Sequence, residues 1–155
     1  MTTRADVLRD YRTVNRALDR VILPVLVERG LTMAQYKALL AIGTPREGGL
    51  GIGALAGELG IRQPATSTLV ERLTVAGLVR RESDPGDRRR VLLGLTSEGE
   101  RFVNDIRVGR RRTFDGWLDR LGEDELSALA RGLAALASAA ADPTGSGPSG
   151  AEARA

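Results

Sequence analysis

Apolar residues recur at helical spacing over most of the chain and at alternate positions over one short stretch. Between residues 4 and 29, Val7, Tyr11, Val14, Leu18, Val21 and Val25 step by four and three. That is the seam of a helix needing a long partner surface, and Leu8, Ile22 and Leu26 widen it. Pro24 inside the pattern predicts a kink or a distorted last turn, and Gly30 a stop. Thr32 and Gln35 stand at capping-box spacing and open a helix through Tyr36, Leu39, Leu40 and Ile42. Residues 43–49 carry Gly43, Pro45, Gly48 and Gly49 and read as a loop. A short helix over roughly 52–59 follows, with Ile52, Leu55, Ala56 and Leu59 at helical spacing. Its Gly53 and Gly57 each cost about 1 kcal/mol against Ala. Gly60 supplies the positive φ of a sharp turn, and Ile61 is expected to point back to the core. Pro64 then opens a helix at its first position. That helix turns Leu69, Val70 and Leu73 to one side and stops at Gly77.

After Gly77 the period changes. Residues 78–82 alternate as a strand, 84–90 form a charged turn, and 91–95 return, which makes a hairpin. Ser97 and Glu100 stand at capping-box spacing, with Thr96 as a rival N-cap. A long helix follows through Phe102, Ile106, Phe114, Trp117, Leu118 and Leu121, broken at Gly122. Residues 123–140 form a last helix with Leu126, Leu129, Leu133 and Leu136 on one face. From Asp142 onward Pro, Gly, Ser and Ala dominate, and residues 142–155 read as a disordered tail. The pattern predicts a mainly α fold with six helices and a small antiparallel β wing.

Composition narrows the chemistry. The 155 residues are enough for one domain with a real core. Aromatics are 3%, so aliphatic side chains and Ala must build that core. There is no Cys and no His. Disulfides, thiol nucleophiles and redox thiols, Cys/His zinc sites and Ser-His-Asp triads are thereby excluded. The acidic pairs Asp84/Asp87, Glu98/Glu100 and Glu123/Glu125 fall in turns and helix starts, where acids serve capping and dipole roles. No enzymatic function, cofactor or metal is expected. Gly49, Gly51 and Ala54 fit a dinucleotide-binding spacing, but they follow a helix and a loop rather than the strand of a βαβ unit. No apolar run approaches the ~20 residues of a membrane span, and the charged start of the chain lacks a signal-peptide core. The expected location is the cytoplasm, with no membrane partner.

The 23 basic residues, 22 of them Arg, nearly balance 20 acids, for a net charge of +3. Their distribution matters more. From Arg62 to Arg90 there are seven Arg against four acids. Two short helices joined at a Gly turn, then a basic hairpin, make a winged helix-turn-helix pattern. The second helix of such a pair must present small polar residues at its start, where base edges and phosphates meet it. Here that start reads Gln63, Pro64, Ala65, Thr66, Ser67 and Thr68, with Arg72 beyond. The hairpin tip carries Arg88, Arg89 and Arg90, and a narrow minor groove attracts such arginines. The expected partner is double-stranded DNA. A winged-helix protein-interaction module without DNA binding is the competing reading.

Leu59-Gly60-Ile61, residues 63–73, Gly77-Leu78-Val79-Arg80, residues 84–90 and Leu95-Thr96-Ser97-Glu98-Gly99 together resemble the MarR family of transcriptional regulators. Residues 31–40 are similar to that family's second helix, and the resemblance covers about residues 5–140. It implies that Asp87 braces Arg89, that Arg89 enters the minor groove, and that residues 63–72 form the recognition helix. It also implies four segments: an N-terminal dimerisation helix (1–30), a DNA-binding lobe (31–96), C-terminal dimerisation helices (97–141) and the tail (142–155). The implied protein is a homodimer that represses from a pseudo-palindromic operator. A small aromatic or phenolic anion would release it, with Tyr11, Arg12 and Arg16 as candidate ligand-binding residues. Two departures stand out. Thr68 is smaller than the base-reading residue of many relatives, and the first helix of the motif begins at Gly51-Ile52-Gly53 rather than with a Ser or Thr cap. The missing Cys excludes the family's thiol-peroxide-sensing branch, and the missing Cys and His argue against its zinc-sensing branch.

Overall fold

The computed structural model describes residues 2–84, 86–87 and 90–141. The chain divides into two units, Met1–Phe114 and Asp115–Ala155. The first begins with α1 (Arg4–Glu28), opened by a reciprocal cap in which the Thr3 hydroxyl accepts the Asp6 N–H and the Asp6 carboxylate accepts the Thr3 N–H. The helix continues through Pro24 to Glu28. It ends as Gly30 turns left-handed at φ 63° and the Leu31 N–H reaches back 2.8 Å to the Leu26 carbonyl, a Schellman-type stop. Of its apolar residues, Ile22 and Leu26 are fully buried, while Val7, Leu8, Tyr11 and Val14 stay exposed. The heptad seam is therefore not what anchors α1 in this unit. The anchor is its last two turns.

α2 (Met33–Ile42) starts with the expected Thr32/Gln35 capping box. After the loop comes a strand that the sequence pattern did not reveal, β1 (Leu50–Gly51), then α3 (Ile52–Leu59) and α4 (Gln63–Val75). β2 (Val79–Ser83) and β3 (Val91–Leu95) form the hairpin, and β1 adds antiparallel to the other edge of β3, giving the order β1-β3-β2. All pairings are antiparallel, so Gly49, Gly51 and Ala54 lie in no βαβ unit. β1 follows Gly48 and Gly49, both at positive φ. At Gly49 a Cβ would meet the Leu92 side chain at 3.0 Å, so the turn into β1 favours glycine twice over.

One core fills this unit, drawing Leu39 from α2, Leu55 from α3, Val70 and Leu73 from α4, Val79 and Leu93 from the sheet, and Phe102 and Ile106 from α5 (Ser97–Leu118). Ile22 and Leu26 of α1 complete it, so the winged lobe recruits side chains from beyond residues 31–96.

Three local expectations need correction. Ile61 is 39% exposed rather than turned to the core. Its N–H instead closes the turn on the Ala56 carbonyl at 3.2 Å while Gly60 sits at φ 64°. Pro64 is the second helical residue, since α4 begins at Gln63. Thr96, not Ser97, caps α5: its hydroxyl accepts the Gly99 N–H at 3.0 Å and donates to the Gly77 carbonyl at 2.6 Å.

The second unit holds the end of α5 and α6 (Glu123–Ala141). α5 stops at Leu118, so Leu121 lies in the turn after it. The Glu125 carboxylate accepts the Gly122 N–H at 3.0 Å. No residue of α6 is buried, and Leu126, Leu133 and Leu136 of its apolar face are exposed. The tail expected at 142–155 lies outside the described residues.

Candidate nucleic-acid interface

The surface of α4 is set by its helical period. Thr66, Val70 and Leu73 repeat at four and three, and all three are fully buried. The opposite face presents Gln63, Pro64, Ala65, Thr68 and Arg72 to solvent, with Ser67 half-buried. Thr66 is thus a correction: its hydroxyl donates to the Arg62 carbonyl at 3.2 Å inside the protein, out of reach of DNA. The Thr68 hydroxyl bonds the Pro64 carbonyl at 3.2 Å but remains exposed. No side chain caps this end of the helix. The free N–H groups of its first turn and the positive end of its dipole therefore face solvent, an arrangement suited to a phosphate. Arg62, exposed at the N-cap position, adds a charge there that the sequence pattern did not single out.

The wing is held by its strands and by its loop. Val79 and Leu95 pair at the base and are buried, and the ladder runs to Ser83 opposite Val91. On the outer face Arg80 lies across Gly94, where a Cβ would come within 3.2 Å of the guanidinium carbon, and it pairs with Glu82. Beyond the ladder, the Asp84 N–H donates to the Arg90 carbonyl at 2.9 Å and the Arg90 N–H to the Asp87 carbonyl at 2.8 Å. Asp87 is exposed at the tip. Arg88 and Arg89 lie outside the described residues. Arg90 is exposed, and its Nη1 stands 3.5 Å from an Asp84 carboxylate oxygen at the base of the loop.

Tyr11, Arg12 and Arg16 are all exposed on α1. Tyr11 and Arg12 are consecutive and point apart on the helix, and Arg16 reaches only the Thr13 hydroxyl, at 3.4 Å. The structure does not bring the three together. A cavity of about 280 Å³ opens instead between the start of α2 and the exposed side of α4, lined by Thr32, Gln35, Ala65, Thr68, Leu69 and Arg72. Among the described residues no cluster of acidic side chains could hold a metal ion, and no helix is long and apolar enough to cross a membrane.

The geometry has relatives. A family model described as MarR family matches residues 29–90, the stretch from the turn after α1 to the loop before β3. The chain is 32% identical over 114 residues to the HTH-type transcriptional regulator FarR of Neisseria gonorrhoeae, covering 74% of this chain and 77% of that protein. It is 28% identical over 144 residues to the HTH-type transcriptional repressor MdtR of Bacillus subtilis, covering 90% and 92%. The fold matches the crystal structure of RV1404 from Mycobacterium tuberculosis with a TM-score of 0.76 at 24% identity, over 92% of this chain and 97% of that one. The winged-helix lobe, the family-model match and the relatives that regulate transcription make one case: the chain belongs to the MarR family of DNA-binding transcriptional regulators, which are not enzymes.

Proposed function

We propose that the protein is a cytoplasmic, homodimeric repressor that binds a pseudo-palindromic operator and leaves it when a small aromatic anion binds. The observation that carries the DNA-contacting part is the exposed face of α4. Its uncapped start and the side chains of Gln63, Pro64, Ala65, Thr68 and Arg72 face solvent beside an arginine-bearing hairpin. In this reading α4 enters the major groove and Arg89, braced by Asp87, enters the adjacent minor groove. The name of MdtR supports repression as the mode of action. The exposed apolar seams of α1 and α6 support a second copy as their partner.

The open groove beside α4 is where this reading places the anion. Its Arg72 guanidinium suits a carboxylate, and Leu69 and Ala65 suit the flat face of a ring. Three of its lining residues are the ones assigned to DNA, so occupant and operator compete for the same surface. The anion shifts the balance only by its differential affinity for the free and bound states.

The test is fluorescence anisotropy with a duplex that the protein selects from a random-sequence pool. A steep fall in affinity with rising salt is expected, because neutralised phosphates release counterions. Arg89→Ala is expected to cost about 1–3 kcal/mol. Titration with a hydroxybenzoate should release the duplex from the unmodified protein. Salt-independent binding would sink the DNA reading, and hydroxybenzoate-insensitive binding the ligand.

A further inference from the structure

The seven-residue tip of the wing, residues 84–90, carries three consecutive arginines, 88–90. The structure shows a brace at the base of the loop. One carboxylate oxygen of Asp84 accepts the Gly86 N–H at 2.8 Å and so bends the first half of the loop. The other stands 3.5 Å from Nη1 of Arg90, where the second half returns to the strand. The Asp84 N–H bonds the Arg90 carbonyl at 2.9 Å, one step past the last strand pair. The Asp84 side chain is only 17% exposed, against 48% for Arg90. A Cβ at Gly48 would lie 4.0 Å from Arg90 Nη1, so this guanidinium folds back beside the loop before β1.

We propose that Asp84 is a positioning residue for DNA binding: by tying Gly86 and Arg90 together it closes the base of the segment to which the DNA-binding reading assigns Arg89. This rests on the assignment of Arg89 to the minor groove, and the experiment separates the two.

Asp84→Ala removes an acid from a DNA-facing tip. Electrostatics alone would then tighten binding to any duplex, whereas loss of a brace weakens binding to the operator. The opposite signs make the variant informative. Anisotropy at fixed salt, with the selected operator and a scrambled duplex, would be measured for Asp84→Ala, Arg89→Ala and the double variant. The expected result is a roughly five-fold or greater loss of operator affinity for Asp84→Ala, of the size of one lost groove contact. Scrambled-duplex affinity should be unchanged or higher. Adding Arg89→Ala to Asp84→Ala should cost far less than Arg89→Ala alone, because residues acting through one another are not additive. Operator affinity that is unchanged or tighter in Asp84→Ala, or losses that multiply, would overturn the proposal while the Arg89 assignment stands. An Arg89→Ala variant that binds like the parent would overturn both. Should Asp84→Ala melt below the assay temperature, Asp84→Asn decides. It keeps an acceptor for Gly86 and loses the charge facing Arg90, so weaker operator binding supports the role and equal or tighter binding overturns it.

Discussion

Thr66 and Thr68 stand two positions apart on α4 and face opposite ways. In the sequence both belong to one polar run at a helix start, and polarity alone assigns both to DNA. The period separates them: Thr66 is four residues before Val70 and seven before Leu73, all buried. Thr66→Val keeps the shape, and its operator affinity is expected to match the parent's. Thr68→Val is expected to weaken the operator by about 1–3 kcal/mol, the range of a lost base contact. Anisotropy on the two variants side by side checks this, and equal losses would contradict the orientation of the helix. Gly99 makes the same point about packing. A Cβ there would lie 2.1 Å from the Leu78 carbonyl oxygen, which is backbone and already accepts the Thr96 N–H at 3.1 Å. Gly99→Ala is expected to destabilise the fold by about 1–3 kcal/mol or more, as overpacking does, and urea denaturation would read it. The Gly at the end of the Leu-Thr-x-x-Gly segment was visible in the sequence, but the carbonyl that demands it comes from residue 78 and was not.

Elements were legible where local chemistry decides them. The Thr32/Gln35 box, Gly30, Gly60 and Gly77 mark ends that the backbone confirms. β1 was not legible, because two residues carry no alternation and its existence depends on the free edge of β3. Nor could spacing show that Arg90, exposed as the tip pattern expected, stands 3.5 Å from the Asp84 carboxylate. Long-range side-chain ties were equally hidden. Arg29, at the end of α1, pairs with Glu98 of α5 at 2.9 Å and lies 5.7 Å over the Phe102 ring. The Arg29 hydrogen bond, then Arg101, hold the Glu98 carboxyl below its ordinary value of 4.5. A carboxyl depressed in the folded state stabilises the fold above its unfolded pKa, and that contribution is lost as pH falls through the folded value. The parent is therefore expected to exceed Glu98→Gln in stability at neutral pH by a small margin, since the pair is exposed. The margin should close as pH drops below about 4.5. Thermal melts of both proteins from pH 7 to pH 3 would show it, and a margin that persists at pH 3 would contradict the role of the carboxylate.

At the scale of the whole molecule, the question is what covers the apolar seams. Val7, Tyr11 and Val14 of α1 are 56%, 59% and 39% exposed, and Leu126, Leu133 and Leu136 of α6 are 43%, 48% and 59% exposed. Soluble monomers seldom leave ordered apolar stripes uncovered without a binding role. A homodimer would answer this for each stripe, because an isologous contact covers the same patch on both copies. Under the proposed function it would also give a short helix selectivity: two copies of α4 about one helical turn apart, ~34 Å, would read two half-sites in one event. Leu133→Asp places a charge in the α6 seam, and Leu133 is not among the residues assigned to DNA. The parent is expected to sediment as a dimer and the variant as a monomer that keeps its circular dichroism. Operator affinity of the variant should fall to that of an isolated half-site, and moving the two half-sites apart by half a turn should weaken the parent but not the variant. A Leu133→Asp protein that remains dimeric would remove α6 from the interface. One that is monomeric yet binds the full operator like the parent would separate dimerisation from DNA recognition altogether.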